Sequence, residues 1–282
     1  MSTTFGKFLE FVDAGQHKRY RLEKFVESGI FKKHVDVVIR HEHLTGDKPS
    51  EKFKKASDIK IDSIADLPKK HYARVYIANR MIPKAFWKEI FYAEKYKDFI
   101  DSTFPDHGKD DIPNDPRIVL LYTTPDQTIT HVTGRALELD NKIRYVTVKI
   151  TDERKVFGIH HVDPNEKVYV TEGQFDSMFL PNAVACGDAN LFGLAEHLKK
   201  MKYKNLVLVF DNQPRNKEIV REVSKAISGE YNVVLLPYDS VSKDINEMVK
   251  AGMTKKEIKD LIDTHTFSGL QAHVKFTKWR KC

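Results

Sequence analysis

The chain has 282 residues, 41% hydrophobic and 31% charged, with a formal net charge of +7, a balance that fits polyanion binding and equally an ordinary basic surface. No apolar run approaches the roughly 20 residues that cross a bilayer, and MSTTFGKFLEF lacks the basic start and apolar core of a secretory leader, so no membrane association and a cytoplasmic location are expected. The only cysteines, Cys186 and Cys282, are too few for a disulfide framework and too far apart for a thiolate zinc site, so no zinc is expected in this chain.

In chain order, residues 1–62 read as a basic helical segment: GKFLEFV, YRLEKFVESGIF and FKKHVDVVIRHEHL carry apolar residues at three- and four-residue spacing. The polar stretch TGDKPSEKFKKASD interrupts it as a linker or exposed loop, and His41 and His43 are expected to be solvated. The segment DSIADLPKKHYARVYIANRMIPKAFWKEIFYAEKYKDFIDS predicts further helix, capped at Asp62 or Ser63, with Pro68 and Pro83 marking starts. From Asp110 the runs RIVLLYT, TITHVTGRAL and IRYVTVKI are β-rich and separated by turn signals, which closes a mixed α+β unit over residues 63–159.

A third unit is expected over residues 160–255. KVYV, AVACG, NLVLVF and NVVLLPY are short, almost continuously apolar, and alternate with helical patterns. That alternation predicts a parallel, Rossmann-like sheet covered on both faces. Residues 256–282 are expected to form a helix and a short basic tail, HVKFTKWRKC. Trp279 in that tail could stack on single-stranded nucleic acid or dock on its own domain.

In an open parallel sheet, ligands bind beyond the carboxyl ends of the strands, and three of these strands end in acids. Glu172 follows KVYVT, Asp211 follows LVLVF, and Asp239 then Asp244 follow VVLLPY; Asp176 lies one turn into the helix after the first strand. Singly, each reads most simply as a helix cap or a solvated first-turn charge. Together on one sheet they predict a rim of carboxylates, which repel one another unless a hard cation such as Mg²⁺ neutralises them. Metal-assisted phosphoryl or nucleotidyl transfer is the chemistry such a rim serves.

These residues carry a resemblance. EGQFD, VACGDAN, VLVFDNQP and SKDINEMVKAG, in that order, resemble the Toprim domain of primases, topoisomerases and some nucleases. The preceding THVTGRAL, IRYVTVK and KVFGI, with YARVYIANRMIPKAFW upstream, resemble the primase-specific block of bacterial-type, DnaG-like primases, and DNQPRNK with KDINEMVKAG is most similar to primases of large tailed bacteriophages. Residues 65–253 are covered.

The resemblance implies a DNA primase catalytic core, a DNA-directed RNA polymerase making short RNA primers on single-stranded DNA in replication. By position, Glu172, Asp176 and Asp211 would be catalytic, and Glu172, Asp211 and Asp244 would hold Mg²⁺ or Mn²⁺. Arg135, Arg144 and Lys149 would hold triphosphate or template phosphate. Implied partners are the template, NTPs and a replicative hexameric helicase, in the host cytoplasm if the chain is viral.

Two positions depart from the pattern: Gln213 and Asn246 stand where acids are usual, and a neutral amide supplies oxygen without charge. The zinc ribbon usual in the family cannot be built from these cysteines, which leaves two options, a truncated gene product or a ribbon on a separate polypeptide. Two other functions stay open on the residues: a nucleic-acid-binding subunit without catalysis or half of a split primase, and a Toprim nuclease using the same acids.

Overall fold

The computed structural model describes residues 54–138, 140–188, 190–238 and 242–282. The helical segment expected before residue 54, with His41 and His43, and the acid Asp239 lie outside the described residues.

The first sheet is antiparallel, in the order β1 (Ile90–Ala93), β2 (Arg117–Thr123), β3 (Ile129–Ala136), β4 (Tyr145–Lys149). RIVLLYT is buried at every position because β2 is covered on both faces. Ile118, Leu120 and Tyr122 enter one apolar cluster while Val119 and Leu121 enter another, the period-two split of a pleated strand. β4 is an edge strand with mostly exposed side chains.

The stretch expected as further helix, with starts at Pro68 and Pro83, is corrected here. It holds helix α1 (Tyr72–Asn79), strand β1 and helix α2 (Tyr96–Thr103). IFYA pairs along β2, Ile90 opposite Leu120 and Ala93 opposite Arg117, with Ile90 and Tyr92 facing one cluster and Phe91 and Ala93 the other. Bulky apolar and aromatic residues that fit a half-buried pleated surface override the helical spacing around them. The cap of α1 is His71, which accepts from the Ala73 N–H at 3.2 Å; Ser63 instead bridges to Phe91.

The second sheet runs β6 (Ala183–Ala185), β5 (Lys167–Thr171), β7 (Asn205–Val209), β8 (Asn232–Val234), β9 (Thr266–Phe267), parallel except for β9. Helices α4 (Leu191–Lys200), α5 (Lys217–Ser228) and α8 (Gly269–Trp279) share a core with Val168, Val170, Leu206 and Leu208. The short α3 (Gln174–Ser177), α6 (Ile245–Lys250) and α7 (Lys255–Thr264) share the other core with Tyr169, Val207 and Val209. That second core also takes in Ile118, Leu120 and Tyr122 of the first sheet, so the two sheets are joined by apolar packing.

The expected C-terminal tail is also corrected. Residues 256–282 complete α7, add β9 to the sheet edge and pack α8 against α5 and β8. Trp279 is only 8% exposed, stacks on Phe276 and donates its indole N–H to Asn212 Oδ1 at 3.2 Å. A ring held in a core has no face to offer a base, so the stacking reading of Trp279 gives way to docking on its own domain.

Candidate active site

Each acid of the rim is placed by the end of a different element. β5 stops at Thr171, whose hydroxyl donates to the Gly173 carbonyl at 3.0 Å, and Glu172 is the next residue. Its Oε1 accepts the Asp211 backbone N–H at 3.1 Å, a bond available because Thr171 and Val209 are register partners on β5 and β7. Asp176 lies in α3 and its Oδ1 accepts the Asn246 N–H at 2.9 Å; Asp244 caps α6 by accepting the Glu247 N–H at 2.8 Å. The position of α3 is fixed from the first sheet, where the Tyr122 hydroxyl accepts from Gln174 Nε2 at 2.5 Å.

Glu172, Asp176, Asp211 and Asp244 line one small pocket with Lys243, the one cation among its lining residues. Its volume, about 10 Å³, suits one water or one bare ion. Gly173 permits this crowding: a Cβ there would lie 2.1 Å from Asp176 Oδ2.

The electrostatics follow from burying like charges together. Burial first, then the Asp211 charge, pushes Glu172 up to about 7. Burial and then Asp244 push Asp176 up to about 7. Asp211 is raised by burial, and Lys243, with Nζ 3.4 Å from its Oδ2, offsets part of that rise. Glu172, Asp176 and Asp211, each raised by burial, share the pocket with Asp244, and clustered carboxylates of this kind suit a hard cation held by one or two of them plus water and phosphate.

The two neutral substitutions have structural partners. Gln213 Nε2 donates to Asp211 Oδ2 at 3.1 Å. Asn246, 4% exposed, accepts from Arg80 Nη1 and donates to the Arg80 carbonyl, both at 2.7 Å, so its amide is committed to Arg80 rather than to the pocket.

The basic residues separate. Arg135 is 5% exposed, donates from Nε to the Tyr76 hydroxyl at 2.6 Å, and lies 4.9 Å over the Tyr145 ring and 5.3 Å over Phe175, the neighbour of Asp176. Burial lowers its pKa to about 10. Arg144 is exposed just ahead of β4. Lys149 is exposed at the end of β4, pairs with Asp152 at 2.7 Å, and lines a separate groove of about 450 Å³ with Tyr145 and Ile143. Neither Arg144 nor Lys149 lines the acid pocket.

Sequence reasoning missed Arg80. Its guanidinium lies 5.1 Å over Tyr76 and 5.2 Å over Phe175, and its charge favours the ionised form of Asp176. Its place at the C-cap of α1, followed by Met81 at φ 59°, is a feature of the fold that the sequence alone does not signal. It also missed Glu89, His160 and His161, whose ligand atoms lie within 4.8 Å of one another, the one such convergence among the described residues.

No family model matches the chain. It is similar to the DNA primase of Enterobacteria phage T4, 28% identical over 240 residues, covering 83% of this chain and 67% of that protein. Its fold is similar to the zinc-binding and RNA polymerase domains of the Aquifex aeolicus primase, with a TM-score of 0.57, 19% identity and 74% of this chain covered; this chain spans 59% of that one. It is also similar to a DnaG primase catalytic domain bound to single-stranded DNA, with a TM-score of 0.54, 16% identity, 74% of this chain and 75% of that chain covered.

Proposed function

We propose that this chain, a DnaG-like primase related to those of phages, works as a primase catalytic core that joins ribonucleotides on a single-stranded DNA template. The observation that carries the reading is the meeting of Glu172, Asp176, Asp211 and Asp244 in one pocket on a fold shared with DnaG catalytic cores. On this reading, residues 160–255 form a Toprim domain and residues 63–159 the primase-specific subdomain.

Glu172, Asp211 and Asp244 would hold Mg²⁺ or Mn²⁺, which when bound supplies positive charge for the attacking 3′ oxygen and the leaving pyrophosphate. The protein's own residues do the positioning. The Asp211 N–H orients Glu172, and the Asn246 N–H orients Asp176. The pocket is too small for a nucleotide, so a triphosphate would have to bind outside it. Arg144 and Lys149 are exposed for phosphate, whereas Arg135, buried between Tyr76 and Phe175, acts as a positioning residue that supports α3.

Partners on this reading are the template, NTPs, a replicative hexameric helicase and a separate zinc-ribbon polypeptide, in the cytoplasm. No helix among the described residues is long and apolar enough to cross a membrane. Incubating the chain with single-stranded DNA, labelled NTPs and Mg²⁺ or Mn²⁺, with and without an added zinc-ribbon polypeptide, tests it. Template-dependent oligoribonucleotides are expected; DNA binding without product under every condition would leave a binding subunit instead.

A further inference from the structure

Away from the acid pocket, the short 3-10 turn Ile159–His161 joins the two sheets, and it begins at Gly158, whose φ of 78° lies in the left-handed region. Ile159 is buried beneath the turn and leaves two consecutive imidazoles facing the chain just ahead of β1, where Glu89 lies. Glu89 Oε2 is 3.3 Å from His160 Nε2 and 2.7 Å from His161 Nε2.

We propose that Glu89, His160 and His161 form a binding site for a divalent transition-metal ion, Zn²⁺ before others, that ties the start of the first sheet to the turn leading into the second. Two imidazoles and one carboxylate are a donor set for such ions, and three protein ligands leave one position for water. Bonds of about 2.0–2.1 Å in a tetrahedron put neighbouring ligand atoms about 3.3–3.4 Å apart. The Glu89–His160 separation already has that value, and the Glu89–His161 contact must open by about 0.6 Å, which two half-exposed side chains allow.

The rings are held for this. His160 Nδ1 lies 3.0 Å from the hydroxyl of buried Thr123, which would accept from Nδ1–H once an ion displaces the proton of Nε2, now facing Glu89. The Phe86 ring meets His161 edge-on at 5.8 Å. A cavity of about 380 Å³ lined by Glu89, His160 and His161 gives an ion and its water access. No zinc is expected from a sequence that lacks a thiolate set, and this site, which has no thiolate, departs from that expectation.

The test uses the full chain in excess Mg²⁺, so that the acid pocket is supplied with its own ion. Zn²⁺ uptake is measured by titration against a chromophoric chelator, with Co²⁺ absorption as a second readout. His160→Ala and His161→Ala are expected to take up one equivalent of Zn²⁺ fewer per chain than the unsubstituted protein. Thr123→Val is expected to weaken that equivalent by about 10–100-fold. Zn²⁺ is expected to raise Tm, reversibly with EDTA, in the unsubstituted protein and in Glu172→Ala but not in the two histidine variants. Equal uptake by the histidine variants, or no uptake by the unsubstituted chain, would overturn the proposal and leave a Glu–His ion pair. Because Glu172→Ala keeps this site, failure of the metal proposal and failure of the primase reading are distinguishable.

Discussion

Gly173 shows how one missing side chain shapes the acid pocket. Its φ of −88° is open to any residue, so the constraint is contact with Asp176 Oδ2, the movable end of a side chain. Gly173→Ala is therefore expected to shift that carboxylate rather than unfold the protein. Nucleotide incorporation should fall roughly 10–100-fold while denaturant stability changes by less than about 1 kcal/mol; unchanged activity would mean that the placement of Asp176 does not matter. Gly134 carries the opposite kind of constraint, since a Cβ there would lie 2.6 Å from the Tyr96 ring and 2.8 Å from Cδ of buried Arg117. The Gly-Arg pair was visible in the sequence, but its physical reason, a ring and a guanidinium pressed on β3, is tertiary.

At the scale of elements, legibility followed burial. The parallel strands β5, β6, β7 and β8 were readable because strands covered on both faces are written as unbroken apolar runs. β1 was not readable, because four residues between two helices carry too little pattern, and its identity is set by pairing with β2. β9 was missed for the same reason: two residues gain strand character only beside β8.

Helix α5 is a strong local signal, with Ile219, Val223 and Ile227 buried along one stripe and Asn216 accepting the Glu218 N–H at 3.0 Å. Asn216→Ala should cost about 1 kcal/mol in a denaturation experiment; no change would show that the bond adds nothing.

Helix α7 is tied to β5 through Asp263, whose carboxylate accepts from the Tyr169 hydroxyl at 2.7 Å, Lys167 at 3.1 Å and Lys259 at 2.6 Å. Burial works to raise its pKa, but the bonds from Lys259, Tyr169 and Lys167 prevail and lower it from an ordinary 3.8 to about 2. A carboxylate depressed by folding adds stability that is fully present above its unfolded value and lost as pH falls through the folded one. The stability difference between the unsubstituted chain and Asp263→Asn should thus be constant above pH 5 and shrink between about pH 4 and pH 2; a difference that stays flat to pH 2 would contradict the assignment.

For the whole molecule, the acids were legible in the sequence, Glu172, Asp211 and Asp244 after strands and Asp176 one turn into a helix, and the fold brings all four to one pocket. What holds them there was not legible. It depends on one apolar cluster shared by both sheets, on the Tyr122–Gln174 bond between β2 and α3, and on Arg80 reaching Asn246 from α1. These are long-range pairings that spacing along the chain does not encode. They make the first sheet a support of the acid pocket, holding α3 from outside the sheet that carries the other acids.

The most direct measurement is incorporation of labelled NTPs on single-stranded DNA with Mg²⁺ or Mn²⁺, comparing the unsubstituted chain with Glu172→Gln. Replacing the carboxylate by an amide keeps shape and removes charge, so the account predicts a loss of roughly 10²-fold or more with DNA binding unchanged. Incorporation by Glu172→Gln equal to that of the unsubstituted chain would place the chemistry elsewhere than in this pocket.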